Sequence, residues 1–383
     1  MNDMNWGPLH PPPPPPPSRP PTLVTFIGDR GEFIQLVTKG AALELVTAGF
    51  YRFWLATDIR RHLWSNTIVD GDAAEYTGRG KELLIGFLFA MAILVPIYLA
   101  YFLVSVEAER YSAFASIPLI LAFYAFGQFA IYRARRYRLT RTVWRGVRFW
   151  MDGSGWAYAW RAVLWGFAVL LTLGLAWPWR EAALERYKMR HSWYGDLRGD
   201  FVGKPWEFFK RAWGYWVAVP FALILFPLFP FVYAWFKAAE WRWWLSGIRF
   251  GGVRLESKLP TSAFTSLYWK VIGWYMLASV ALSIYVAICT AITASNSGGL
   301  HPSVAPELSK NIPLLIMTVI VYFALILSLN VVVRVYLSRD LWARVLQFVQ
   351  VQNIEAMANV AAKGELATAL GEGFADGLDV AGF

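Results

Sequence analysis

Cysteine is almost missing from this chain, with one thiol, Cys289, in 383 residues. A single thiol makes no internal disulfide and no cysteine cluster for a metal, and inside an apolar run it reads as a small buried residue. Histidine is scarce too. His10, His62, His191 and His301 show no zinc spacing, so no metal is expected. No nucleophile elbow and no paired-carboxylate arrangement occurs. The string Thr77-Gly78-Arg79-Gly80-Lys81 lacks the interval and the following Ser or Thr of a phosphate loop. These absences lead to the expectation of a protein that is not an enzyme and carries no cofactor.

Charge is also low, at 16% of residues, against 57% hydrophobic and a mean hydropathy of +0.40. A soluble chain of this length needs more charge to cover its surface, so the excess apolar residues are expected to face lipid. Twenty-one tryptophans point the same way, because amphipathic rings collect at membrane–water boundaries. The net charge of +10 lies beside hydrophobic spans. Anionic lipid headgroups are therefore the expected partner, rather than nucleic acid.

Segments 83–104, 113–132, 271–292 and 312–333 are charge-free and long enough to span a bilayer. Segments 33–54, 162–179 and 213–236 are less regular; the third is broken by Pro220, Pro227 and Pro230. The fold expected is all-α and polytopic, with about six or seven membrane segments, some re-entrant, and interfacial amphipathic helices. Connections 55–82, 133–161 and 237–270 are basic and belong on the cytoplasmic side by the positive-inside rule. Connection 180–211 holds eight Lys or Arg and would lie outside if 162–179 and 213–236 each crossed once. Re-entry of those segments keeps it inside, and that arrangement is preferred to an inverted repeat. Arg334, Arg339 and Arg344 place the C-terminus in the cytoplasm, and no cleavable signal peptide is read at the N-terminus.

Residues 45–82 recur at 170–207. Leu45, Thr47, Gly49, Trp54, Arg61, Gly78 and Glu82 match Leu170, Thr172, Gly174, Trp179, Arg186, Gly203 and Glu207. Thr-x-Gly is placed to end a helix, since Gly tolerates a left-handed cap. Trp54 and Arg61 lie two turns apart on one helix face, as do Trp179 and Arg186, and Trp235 and Arg242 keep the spacing. These six are the candidate lipid-contacting residues, by snorkelling or headgroup binding. Phe129/Arg136 repeats the spacing, and Gly71, Gly146, Gly195 and Gly251 follow the four arginines. Glu82 and Glu207 are candidate structural ion-pair partners of Arg61 and Arg186. Lys39 and Glu44 inside the first apolar segment are costly unless they meet protein or water.

Three regions follow: a Pro-rich disordered tail at 1–22, a membrane domain at 23–345, and an amphipathic to disordered acidic tail at 346–383, with 339–363 read as an amphipathic helix. Phe26-x-Gly28 with Gly31-Glu32-Phe33, Thr47-x-Gly49-x-Tyr51-x-Phe53-Trp54, Glu75-Tyr76-x-Gly78-x-Gly80-Lys81-Glu82-Leu83, Thr172-Leu173-Gly174 and Pro178-Trp179 appear in that order. Together they resemble the YjgN-like family of bacterial inner-membrane proteins, a domain of unknown function. The resemblance implies a multi-pass protein of the cytoplasmic membrane and carries over no activity. A lipid-interacting or scaffolding role is the leading expectation, with homo-oligomers allowed. A small-solute transporter or channel built on the repeat is the alternative, and an enzyme acting on lipid ranks third.

Overall fold

The computed structural model describes residues 20–108, 117–297 and 312–364, together with 366 and 376. The polyproline run Pro11–Pro17 and most of the acidic tail lie outside the described residues. Ten short antiparallel strands form a closed barrel, which overturns the all-α expectation. They are β1 (Thr22–Phe26), β2 (Thr67–Val69), β3 (Asp72–Tyr76), β4 (Thr142–Trp144), β5 (Val147–Met151), β6 (Ser192–Tyr194), β7 (Leu197–Phe201), β8 (Ile248–Phe250), β9 (Val253–Ser257) and β10 (Val349–Gln352). Each strand pairs with its neighbour in sequence, and β10 pairs with both β9 and β1 to close the ring.

The strands were missed because each has only three to five residues, too few for alternation to stand out against an apolar background. A usable signal was present in the turns. Asp70-Gly71 and Arg145-Gly146 both take positive φ at both positions, as two-residue hairpin turns require. Gly195 and Gly251 open the other two turns, with φ of +54° each. The glycines noted after each aromatic–Arg pair are thus hairpin turns.

Between successive β-hairpins run pairs of helices: α1 (Arg30–Val46) with α2 (Arg52–Ser65), α3 (Gly80–Ala108) with α4 (Ile117–Thr140), α5 (Gly155–Leu171) with α6 (Trp177–Arg190), and α7 (Pro205–Ile224) with α8 (Phe229–Gly247). The last pair is α9 (Thr265–Ser297) with α10 (Ile312–Val333), which continues through a π-helical turn into α11 (Leu341–Leu346). The chain is therefore five helix pairs alternating with four hairpins, and the pairing of β10 with β1 completes the fifth unit. The matched windows are its first and third units. The intervening unit showed only the Phe129/Arg136 spacing and Gly146, because its longer helices, α3 and α4, shift the register of the rest.

Helix-pair tips explain the Thr-x-Gly motif. Gly49 N–H donates to the Glu44 carbonyl at 2.7 Å and Ala48 N–H to Leu45, a Schellman closure with Ala48 at φ +50° and Gly49 at +88°. Thr47 Oγ1 donates to the Leu43 carbonyl at 2.7 Å and accepts from Tyr51 N–H at 2.9 Å, so one hydroxyl ties both helices together. Thr172 does the same between Ala168 and Ala176, with Gly174 N–H on Val169.

Among the described residues, four helices are long and apolar enough to cross a membrane: Gly80–Val104, Ile117–Thr140, Thr265–Ile292 and Ile312–Leu346. Segments 33–54, 162–179 and 213–236 instead contain the turning points of the three other pairs. Every pair leaves the barrel and returns to the same rim, because the hairpin turns occupy the other rim. The basic connections, 180–211 included, therefore lie on one side of the molecule, and both copies of the repeat face the same way.

The barrel is filled. Val24 faces Val69, Ala74 faces Trp144, Phe149 faces Tyr194 and Leu255 faces Val351, all within one apolar cluster. The Phe149 and Tyr194 rings lie 4.7 Å apart, and Tyr194 Oη donates to the Trp144 carbonyl at 3.0 Å. By area each such aromatic contributes at most about 4–6 kcal/mol. Where 339–363 was expected to run on as one helix, the chain turns into β10 and then a 3-10 turn (Ile354–Met357), whose Ile354 and Met357 pack on the barrel core.

Candidate functional site

In the first four pairs the second helix packs against the barrel strands, and this inner set carries the buried charge. Arg60 comes from α2, Arg135 and Arg138 from α4, Glu181, Glu185 and Lys188 from α6, and Lys237 and Glu240 from α8. Lone charges cannot stay ionised in such a place, and these are paired. Arg135 meets Glu185 at 2.8 Å, Lys188 meets Glu185 at 2.5 Å, and Lys237 meets Glu240 at 2.6 Å. Burial alone would raise the Glu185 pKa, but Arg135 and Lys188 outweigh it and hold the carboxyl at about 2. Burial raises Glu181 above the usual carboxylate range, despite the neighbouring Arg180.

Two cavities open into this charged layer. A smaller one of about 230 Å³ lies between α4, α6 and α8, lined by Arg135, Arg138, Glu181, Glu185 and Glu240 with Trp241, Trp243 and Trp244. A larger one of about 800 Å³ lies between α2, α3, α9 and α10. Its wall is apolar, from Phe53, Ile59, Leu83, Ile326 and Leu329, and its polar side holds Arg52, Arg60, Arg334, Glu44 and Asp376. Arg334 meets Glu44 at 2.9 Å, which accounts for a carboxylate placed near the end of an apolar helix. The Arg52 guanidinium lies over the Phe53 and Phe87 rings at 4.7 and 4.5 Å. Asn330 Oδ1 and Arg334 Nη1 are enclosed without a hydrogen-bond partner among the described residues.

Arg60 and Arg138 converge on one carboxylate. Both Arg60 terminal nitrogens contact Asp376, Nη2 at 3.1 Å, and Arg138 Nε lies 3.5 Å from it. Arg60 also donates to Tyr76 Oη at 3.3 Å. Arg138 lines the smaller cavity while Arg60 and Asp376 line the larger, so this triad separates the two.

The residues singled out from sequence lie elsewhere. Arg61 donates to the Gly78 carbonyl at 3.2 Å and Arg186 to the Gly203 carbonyl at 3.1 Å, fastening the start of the next helix pair. Neither meets its expected glutamate. Glu82 instead pairs with Arg141 at 2.8 Å and accepts from Tyr137, and Glu207 lies 3.8 Å from Lys204. The reason is geometric: Arg61 reaches the turn before α3, while Glu82 faces the end of α4, where Tyr137 in the last turn and Arg141 just after it meet the carboxylate. Trp54 is partly exposed and backs onto Gly80, where a methyl group would come within 2.7 Å of Trp54 Cα. Trp179 packs near Trp206 and Phe209, Trp235 approaches Gly214, and Arg242 is exposed. None of the six lines either cavity. Arg52, Arg60 and Asp376 were missed, because only the tertiary fold collects them. Among the described residues no group of His, Cys, Asp and Glu could hold a metal ion.

A family described as bacterial proteins of unknown function, DUF898, matches residues 21–234 and again 186–370. The chain belongs to this family. It is the YjgN-like family that the motif strings resemble. The second match begins in the last turns of α6, as a protein made of repeated units allows. No curated protein and no solved structure matches the chain.

Proposed function

We propose that this DUF898 protein is a non-enzymatic membrane protein that holds an anionic amphiphile, with a phospholipid as the simplest occupant, in its larger cavity. One observation carries the reading: an apolar wall from α2, α3 and α10 faces a cationic side where two enclosed polar atoms, on Asn330 and Arg334, lack partners among the described residues. An acyl chain suits the wall, and a phosphate suits Arg52 and Arg334, which supply planar donors. The exposed apolar tips of the short pairs, among them Val46, Leu171, Leu173 and Ile224, support their dipping into lipid beside the four long helices. The basic barrel side then lies in the cytoplasm and the membrane is the bacterial inner one, in keeping with the positive-inside rule.

Native mass spectrometry of the detergent-purified protein tests this. Wild type is expected to retain about one anionic phospholipid, and Arg52→Ala and Leu329→Trp to lose it. Equal retention in all three rejects the cavity as the site. A second reading, solute transport, is favoured by the same cavity but opposed by the filled barrel beneath it, which leaves no pore along the barrel axis.

A further inference from the structure

We propose that the three short helix pairs enter only the barrel-side leaflet of the bilayer, making the protein a one-sided wedge that favours membrane curved convexly toward the barrel. This rests on the reading of the short-pair tips as dipping into lipid, and it is independent of what fills the larger cavity.

The tips are built to do without water. At the end of α5/α6 every N–H from Thr172 to Trp177 is bonded within the turn. Thr172 donates to Ala168, Leu173 to Leu170, Gly174 to Val169, Leu175 to the Thr172 carbonyl, Ala176 to Thr172 Oγ1 and Trp177 to Gly174. The run from Thr47 to Arg52 at the end of α1/α2 closes in the same way. A turn facing solvent can leave such donors to water, whereas one in hydrocarbon must satisfy them itself. Between α7 and α8 the means differ: Pro227 and Pro230 carry no N–H, and Leu225 and Leu228 donate to Phe221 and Leu225. Around these closed backbones Val46, Leu171, Leu173 and Ile224 are 80–89% exposed. Leu173 holds φ at +49°, a left-handed conformation that Gly or Asn takes at less cost. Leucine at that position puts apolar surface on the turn itself.

Depth follows from the last charge before each turn. Beyond Arg161, α5 has residues 162–171, about 15 Å of helix; beyond Arg211, α7 has residues 212–224, about 20 Å. The hydrocarbon core is about 30 Å thick, so these tips end near its middle. In α1 the charges Lys39 and Glu44 come closer still to the turn. By contrast α3 and α9 have 29 and 33 residues, about 44 and 50 Å, enough to cross. Among the described residues, ten paired helices thus occupy the barrel-side leaflet and four continue into the other. At a diameter of about 10–12 Å, the six that stop short add roughly 500–700 Å² to one leaflet only. That excess relaxes when the leaflet lies on the convex side, which makes one-sided insertion sensitive to curvature.

The test uses the full chain with Cys289→Ser, in vesicles of phosphatidylcholine and phosphatidylglycerol. Nitroxides on Leu173→Cys and Leu225→Cys are expected to collide with oxygen and not with a water-soluble nickel chelate. A nitroxide on Asp196→Cys, in a barrel turn, should do the reverse. Fluorescent protein is then followed on membrane tubes pulled from giant vesicles, its orientation read by an impermeant maleimide at Asp196→Cys. Molecules with the barrel outside should be enriched on the tube, increasingly as it narrows, and those with the barrel inside depleted. Leu171→Asp combined with Leu173→Asp should lower the enrichment while the long helices keep the protein in the membrane. Lipid-facing labels with no dependence on tube radius overturn the wedge and leave the tips in lipid. Nickel access at residues 173 and 225 equal to that at 196 puts the tips in water and rejects both readings. Spin–spin broadening between labels at 173 places a second copy of the chain on the tips and also overturns the proposal. If the aspartate variant fails to fold, the depth and tube measurements on the other chains decide alone.

Discussion

Ending the chain after Leu346 removes the strand that joins β9 to β1. Val349, Val351 and Ile354 are each 5% exposed or less, so their loss costs roughly 1.5–3 kcal/mol apiece, together about 5–9 kcal/mol. The ladders to Thr22–Leu23 and to Arg254–Ser257 go with them, opening two strand edges. Against a total stability of about 5–15 kcal/mol, that is enough to prevent folding. The reference is the chain ended after Gly364, which keeps β10 and the 3-10 turn. Both truncations lose Asp376, so its effect cancels. The assay is size-exclusion chromatography in mild detergent followed by a tryptophan-fluorescence melt. The longer chain is expected to elute as one species and melt cooperatively, and the shorter to aggregate or show no transition. A shorter chain melting within about 2 °C of the longer one, a difference below about 1 kcal/mol, would refute closure by β10.

Three further outcomes follow from the geometry. Glu185 has its carboxyl pKa lowered from 4.5 to about 2, so its contribution is full above pH 4.5 and is lost as pH falls through 2. The unfolding free energy of Glu185→Gln should lie about 3 kcal/mol below wild type at pH 7, and the gap should shrink below pH 4.5; a pH-independent gap contradicts the pairing with Arg135 and Lys188. Arg61→Ala and Arg186→Ala each remove a half-exposed hydrogen bond, so melts should show a loss of about 1 kcal/mol while retained lipid stays unchanged; lipid loss would return these arginines to a headgroup role. Single cysteines replacing Asp70 and Asp196, in a Cys289→Ser background, should react with an impermeant maleimide from the same side of sealed vesicles; labelling from opposite sides is incompatible with one barrel.

The amino-acid sequence by itself determined the elements whose cause is local. A charge-free run of about 20 residues can satisfy its backbone only as a helix in lipid, so α3, α9 and α10 were readable directly. Thr47-x-Gly49 marked a helix end because a hydroxyl and a left-handed residue act within one turn. The repeated aromatic–Arg–Gly spacing was visible as a pattern, although its meaning, a helix leading into a β-hairpin, was not. The tertiary structure alone decided the rest. Three-residue strands have no stability of their own and exist only because ten of them pair around a filled core. Arg61 was given to Glu82 by position in the repeat, but the turn carbonyl of Gly78 lies closer once α2 and α3 pack. Arg60, Arg138 and Asp376 carry no local signature. They meet because closing the barrel draws the inner helices around a common centre, where unpaired charge is too costly to stand alone.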